Sequence, residues 1–278
     1  MAHSSEPEHN FALNLQKLPN QTPPIIPPTD EYGMMLPRLL NTPRRCNASA
    51  GVMWVVQAFG LFQRQPLLWL AIGATLLVIL GLLSYVPILN LVMVAVVFVF
   101  LGGILQGAAA QYRGDELRFD HLFSGFKSHL KPLAKLGLLY LLGTIICMIP
   151  MFITMGGIMF ALLSSNQAGI SDSSVLAMII SYLISMLLFI PLMMAIWFAP
   201  ALIVFHDMDA ILALKKSFQG SKENLVPLFI YGLVCLMVFP IVILVTLGLG
   251  IFLLFPILFL TYFTSYRDVW TDQPLNAH

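Results

Sequence analysis

Between Arg64 and Arg113 the chain carries no charged residue. One crossing of a bilayer takes about 20 apolar residues, so this interval is too long for one span and suits two. Pro87 and Asn90 mark the turn between them. Composition agrees: 59% of the 278 residues are hydrophobic, 10% are charged and mean hydropathy is +0.87. Soluble domains carry roughly 25% charged residues. The expected fold is therefore all-α, a polytopic membrane protein.

Further apolar runs complete a set of six spans. They are expected at about Pro66 to Val86, Leu91 to Tyr112, Pro132 to Leu163, Val175 to Phe205, Leu225 to Thr246 and Ile251 to Tyr266. The third is long for one crossing, which predicts tilt, a kink at Pro150, or a break at Gly156-Gly157; the fourth is again long, with Pro191 and Pro200 inside it. Gly103 and Gly107 in the second span have the small-xxx-small spacing that lets backbones approach.

The stretch Phe119 to Tyr140 shows the organising unit. Phe119, Leu122, Phe123, Phe126 and Leu130 recur at helical period, with Asp120, His121, Ser124, Lys127 and Lys131 opposite. The pattern is that of an amphipathic helix on a membrane surface, handing over at Pro132 to a crossing helix. The same unit recurs at Asn47 to Gln65, where Val52, Val55, Val56, Phe59 and Phe62 form the stripe. It recurs again after His206-Asp207, with Ile211, Leu214, Phe218 and Leu225. The exits also repeat: Tyr112-Arg113, Phe205-His206 and Tyr266-Arg267. The six spans thus read as three hairpins, each preceded by an interfacial amphipathic helix, in a parallel pseudo-threefold arrangement.

All fourteen Lys and Arg fall on one side of this scheme. Lys17, Arg38, Arg44, Arg45 and Arg64 precede the first span. Arg113, Arg118, Lys127, Lys131 and Lys135 separate the second from the third, Lys215, Lys216 and Lys222 the fourth from the fifth, and Arg267 ends the sixth. Basic residues in short loops stay cytoplasmic, so both termini are expected inside.

Residues 1–46 read as a disordered, proline-rich cytoplasmic tail, 47–270 as the transmembrane domain and 271–278 as a short cytoplasmic tail. The first 30 residues lack an apolar core, so the first span is expected to serve as an uncleaved insertion signal. Pro23-Pro24-Ile25-Ile26-Pro27-Pro28 offers a polyproline ligand to a protein partner, with a plain tether as the other reading. Cys46, Cys147 and Cys235 show no ligand spacing and are expected to pack as small hydrophobes.

The blocks Trp54…Phe62-Gln63-Arg64-Gln65-Pro66-Leu67-Leu68-Trp69 and Leu122-Phe123-Ser124-Gly125-Phe126 resemble an uncharacterised family of proteobacterial integral membrane proteins, over roughly Leu36 to Trp270. The third unit, Ala213 to Ser217 with Asn224 and Pro227, is similar to the six-helix membrane domain fused to some glycerophosphodiester phosphodiesterases. The resemblance implies a bacterial inner-membrane protein. It brings no catalytic residues, because the soluble phosphodiesterase barrel and its metal carboxylates have no counterpart in this sequence.

The spans hold no carboxylate or base of the kind ion-coupled transport uses. His206-Asp207 is the best candidate for acid–base or metal chemistry, though adjacent helical residues face different ways. His121 and His129 lack a third zinc ligand. No catalytic residue, metal or cofactor is therefore expected, and no nucleic-acid partner. Arg64, Lys127, Lys131, Lys215, Lys216 and Lys222 are the expected headgroup-binding ring, each worth about 1 kcal/mol near an anionic surface. The other reading of this ring is helix anchoring that simply obeys the topology rule. Gln106, Gln111, His206 and Asp207 are the candidates for a polar pathway, with interhelical hydrogen bonding the simpler use of the two amides. The leading expectation is a non-enzymatic protein that binds lipid or a membrane partner through this rim. The alternative is an uncoupled transporter or channel for a small or lipophilic solute.

Overall fold

The computed structural model describes residues 37–85, 87–164 and 171–275. The proline-rich segment at 23–28, most of the loop after the third span and the last three residues lie outside them. The described chain is all-helical: α1 (Ala50–Arg64), α2 (Pro66–Ser84), α3 (Pro87–Arg113), α4 (Ser124–Ser128), α5 (Leu130–Ser164), α6 (Asp172–Ile196), α7 (Ala199–His206), α8 (Ala210–Glu223), α9 (Leu225–Val245) and α10 (Gly250–Trp270). Among the described residues six stretches are long and apolar enough to cross a membrane: α2, α3 from Met93, α5, α6 with α7, α9 and α10.

Local chemistry sets the boundaries. Pro66 sits in the first turn of α2, where its missing N–H is not needed. The Asp209 carboxylate accepts the Ile211 N–H and caps α8. Asp207 ends α7 in the left-handed region at φ 49°, which Asp tolerates better than most residues. Leu247 and Gly248, both at positive φ, make the tight turn between α9 and α10.

Two expectations are corrected. The expected continuous helix through Phe119 to Lys131 is instead a 3₁₀ turn over Phe119–Phe123, the five-residue α4, and a break at His129. The fourth span, expected to be continuous, breaks at Trp197-Phe198 between α6 and α7. Pro200 excludes the carbonyl four residues before it, that of Ile196. The Ser217 hydroxyl completes the break: it accepts the Phe198 N–H at 2.8 Å and donates to the Met194 carbonyl at 3.0 Å. A side chain is thereby inserted into one rung of the helical ladder, a recognised cause of kinks. The third span, by contrast, runs unbroken through Pro150.

The tertiary arrangement repeats three times. Each short element precedes one span and packs into the pair of helices before it in a cyclic order. The 3₁₀ turn contacts α2 and α3, α8 contacts α5, α6 and α7, and α1 contacts α9 and α10. Glycines bring backbones together at these contacts. A Cβ on Gly103 would collide with the His121 and Leu122 carbonyls, one on Gly125 with the Val99 carbonyl, and one on Gly51 with the Pro227 carbonyl. The C-terminal ends of α3, α7 and α10 meet one another at the centre.

Residues 38–46, which the sequence reading placed in the tail, strap the end of α10. Arg44 donates to the Asp268 and Thr271 carbonyls, Leu40 N–H donates to the Trp270 carbonyl, and Leu39 bridges Thr271 antiparallel. Asn224, fully buried, holds the strap to the α8–α9 corner by donating to the Arg44 carbonyl and accepting the Cys46 N–H. The Cys46 thiol is half-buried here, and desolvation pushes its pKa up to about 12.

Candidate lipid-facing rim and central polar cluster

The short helices have two unlike faces. Small residues point inward: Ala50, Gly51 and Ala58 on α1, Gly125 on α4, and Ala210, Ala213, Ser217, Gly220 and Ser221 on α8 are buried. Trp54 joins them, its indole N–H donating to the buried Asp268 carboxylate at 2.9 Å. Leu61 and Phe62 of α1 and Leu122 of the 3₁₀ turn are buried with them, while other large apolar residues point outward. Val52, Val56 and Phe59 on α1, Phe119 and Phe123 in the second unit, and Ile211, Leu212 and Phe218 on α8 are all exposed, Val56 at 53%. Small faces let the helices dock closely, and the bulk that would ordinarily form a core is left on the surface.

The basic residues divide. Lys127, Lys131, Lys215 and Lys222 are exposed and take part in no ion pair recorded among the described residues. Arg64 instead donates to the Gln111 carbonyl at the end of α3. Lys216 lies 5.3 Å from the Trp270 ring, a cation–π distance. Arg45 pairs with Glu223, and Lys135 with Asp209, whose carboxyl the lysine holds below its ordinary value.

The four candidate pathway residues also divide. Gln111 is buried and its side-chain Oε1 accepts the Trp69 indole N–H, tying α3 to α2. His206 pairs with the Tyr266 hydroxyl at 2.7 Å rather than with Asp207. Asp207 instead meets His129 Nε2 at 3.0 Å. The left-handed backbone at Asp207 turns its side chain away from its neighbour, which sequence adjacency does not reveal. Gln106 donates to Ser128 Oγ at 2.9 Å and faces His129 Nδ1. His129, eight residues after His121, stands at the break after α4 and not on one continuous helix with it.

Two groupings result. One is a central stack in which Tyr112, Phe205, Phe263 and Tyr266 pack ring on ring and the Arg267 guanidinium lies 4.7 Å from the Tyr112 ring. It joins all three repeated exit motifs. The other is a cavity of about 300 Å³ lined by Gln106, Ala109, Ala110, Arg113, His121 and Phe205. His121 was missed as a lining residue, although its place among the basic rim residues was visible. Burial lowers its pKa below the ordinary 6.5, so it stays neutral near pH 7. Among the described residues no three His, Cys, Asp or Glu side chains gather as a metal site.

A protein of Burkholderia thailandensis named as a probable inner membrane protein is 30% identical over 199 residues, covering 67% of this chain and 72% of that relative. This chain belongs to that family. No protein-family model matches it, and no solved structure does. Family membership and six membrane-length helices together make it a bacterial inner-membrane protein.

Proposed function

We propose that the protein is a non-enzymatic binder of anionic lipid headgroups, gripping the bilayer surface through its three short helical elements. One observation carries this reading: these elements expose Val52, Val56, Phe59, Phe119, Phe123, Ile211, Leu212 and Phe218, with the exposed Lys127, Lys131, Lys215 and Lys222 close by in the chain. An amphipathic helix with cations beside an apolar face binds anionic interfaces by both terms. In this reading the spans form three hairpins, both ends of the helical body are cytoplasmic, and the short elements lie at headgroup level. Helix length supports the placement. The α6–α7 stretch of 35 residues extends to about 52 Å at 1.5 Å per residue, well beyond a hydrocarbon core of about 30 Å. Ala199 to Val204 of α7 are buried, and α7 packs against α8 as well as α3 and α5. The proline-rich tail remains the proposed contact for a protein partner. The likeness of the third unit to the phosphodiesterase membrane domain would extend to lipid proximity, without its chemistry.

The test is the melting temperature of the detergent-solubilised protein with added phosphatidylglycerol or phosphatidylcholine. Phosphatidylglycerol is expected to raise it more. The Lys→Glu quadruple variant at 127, 131, 215 and 222 is expected to lose that difference. Equal stabilisation of the variant and the wild type by phosphatidylglycerol would overturn the reading.

One observation favours the second reading, an uncoupled pathway: the cavity of about 300 Å³ reaches Gln106. Deeper along α3, however, Gly102 and Gly103 are closed off by Leu133 and by the Leu122 backbone. The lipid-binding reading therefore stands first. Solute efflux from proteoliposomes that rises on Gln106→Ala would reverse that order.

A further inference from the structure

The threefold pattern has one junction that does not close. Each hairpin's last helix is followed in the ring by the first span of the next. At two of these junctions a glycine seats the helices together. A Cβ on Gly137 of α5 would collide with Ala95 of α3, and one on Gly73 of α2 would lie 2.8 Å from the Pro256 ring of α10. The third copy keeps the glycine: Gly232 follows Pro227 at the same spacing as Gly137 follows Pro132. Yet nothing lies within 4 Å of a Cβ built there, and α6 and α9 scarcely touch.

The space between them is a groove of about 500 Å³, walled by Met186, Met193 and Met194 of α6 and by Leu225 and Phe229 of α9. Trp197 closes one end, stacked on Tyr262 and edge-on to Tyr231. The polar atoms of that end are already engaged: the Trp197 indole N–H donates to Ser265, and the Tyr231 hydroxyl bonds Thr261. A polar solute would find no partner there. An apolar chain would find soft, adaptable methionines and an aromatic end wall. The groove lies along the first two turns of α9, beginning three residues after the exposed Lys222. Lys215 and Lys222, seven apart on α8, share one helical face.

We propose that this groove holds one acyl chain of an anionic phospholipid whose phosphate meets Lys222. The proposal deepens the lipid-binding reading and rests on it for the headgroup alone. The break that Ser217 imposes on α6 separates the packed α7 from the groove wall, so one junction of three is shaped for a lipid and two for a helix.

The test uses the full chain in vesicles of phosphatidylcholine with a rising fraction of phosphatidylglycerol brominated on its acyl chains. Bromine quenches tryptophan on contact. Trp54, Trp69 and Trp270 are fully buried, so Trp197 is the reporter, which Trp197→Phe checks. Wild-type quenching is expected to saturate while the brominated lipid is still the minor component. Gly232→Leu, whose Cβ has open space around it, puts an apolar side chain into the groove, and is expected to lose most of the quenching at an unchanged melting temperature. Quenching that rises in simple proportion to the brominated fraction, or that persists in Gly232→Leu, would overturn the groove site. Lys222→Glu is expected to move saturation to a higher fraction, and no movement would overturn the phosphate contact. If the quadruple lysine variant keeps Gly232-sensitive quenching by brominated phosphatidylcholine while phosphatidylglycerol no longer stabilises it over phosphatidylcholine, the groove and the rim act separately.

Discussion

At the scale of single residues, the informative groups are those whose partners lie far along the chain. His121 illustrates the consequence. It is partly buried against α3, and desolvation holds its folded-state pKa below the unfolded value of 6.5. A depressed histidine contributes its full stability above the unfolded pKa. That stability is lost as pH falls from there through the folded value, because the unfolded chain takes up the proton first. The melting temperature is therefore expected to drop between pH 7 and about pH 5, within the range where histidine titrates. His121→Gln should shrink that drop. A variant whose pH profile superimposes on the wild type would show that other groups govern acid sensitivity. The pairing of His129 with Asp207, and of His206 with Tyr266, follows the same lesson. Neighbours in sequence were candidates for each other, and backbone geometry gave each a different partner.

At the scale of elements, α8 does more than lie on a surface. Its Ser217 and Ser221 hydroxyls both donate to the Met194 carbonyl, and Ser217 also accepts the Phe198 N–H. Replacing Ser217 by Ala removes the one hydroxyl that satisfies Phe198 at the break. Leaving a buried donor unpaired costs about 1–3 kcal/mol. Ser217→Ala is expected to lower the melting temperature accordingly, and Ser217→Thr, which keeps the hydroxyl, should lose less. If Ala and wild type melt together, the helix ladder has re-formed and the break is not imposed by α8. On the same element the stripe read from periodicity is not the face that packs against the protein. Ile211 and Phe218 are exposed, while Ala213, Ser217 and Gly220 make the contact. Where bilayer lipid can cover bulk, close packing selects small side chains instead.

At the scale of the whole molecule, the cyclic packing orders the two ends of each helix. Asp172 begins α6, and α8 docks near the far end of that same helix, at Met194. In a background lacking the three native cysteines, Asp172→Cys and Lys215→Cys are expected to label from opposite sides with a membrane-impermeant thiol reagent in intact cells and inverted vesicles. Labelling from one side would remove the cytoplasmic placement of the rim and the hairpin scheme with it.

The sequence alone determined the class and the count of membrane-length helices, because length and apolarity are local quantities and a bilayer filters on both. It also marked the repeated exits, since Tyr112, His206, Tyr266 and Arg267 stand at the ends of apolar runs whatever those runs pack against. Tertiary structure decided which faces meet. The break at Trp197-Phe198 depends on a hydroxyl nineteen residues away, and the strap of residues 38–46 on a helix end at the other terminus. The open junction at Gly232 depends on a neighbour that does not approach. Such relations between distant segments leave no periodicity to read, because only the folded chain brings the partners within reach.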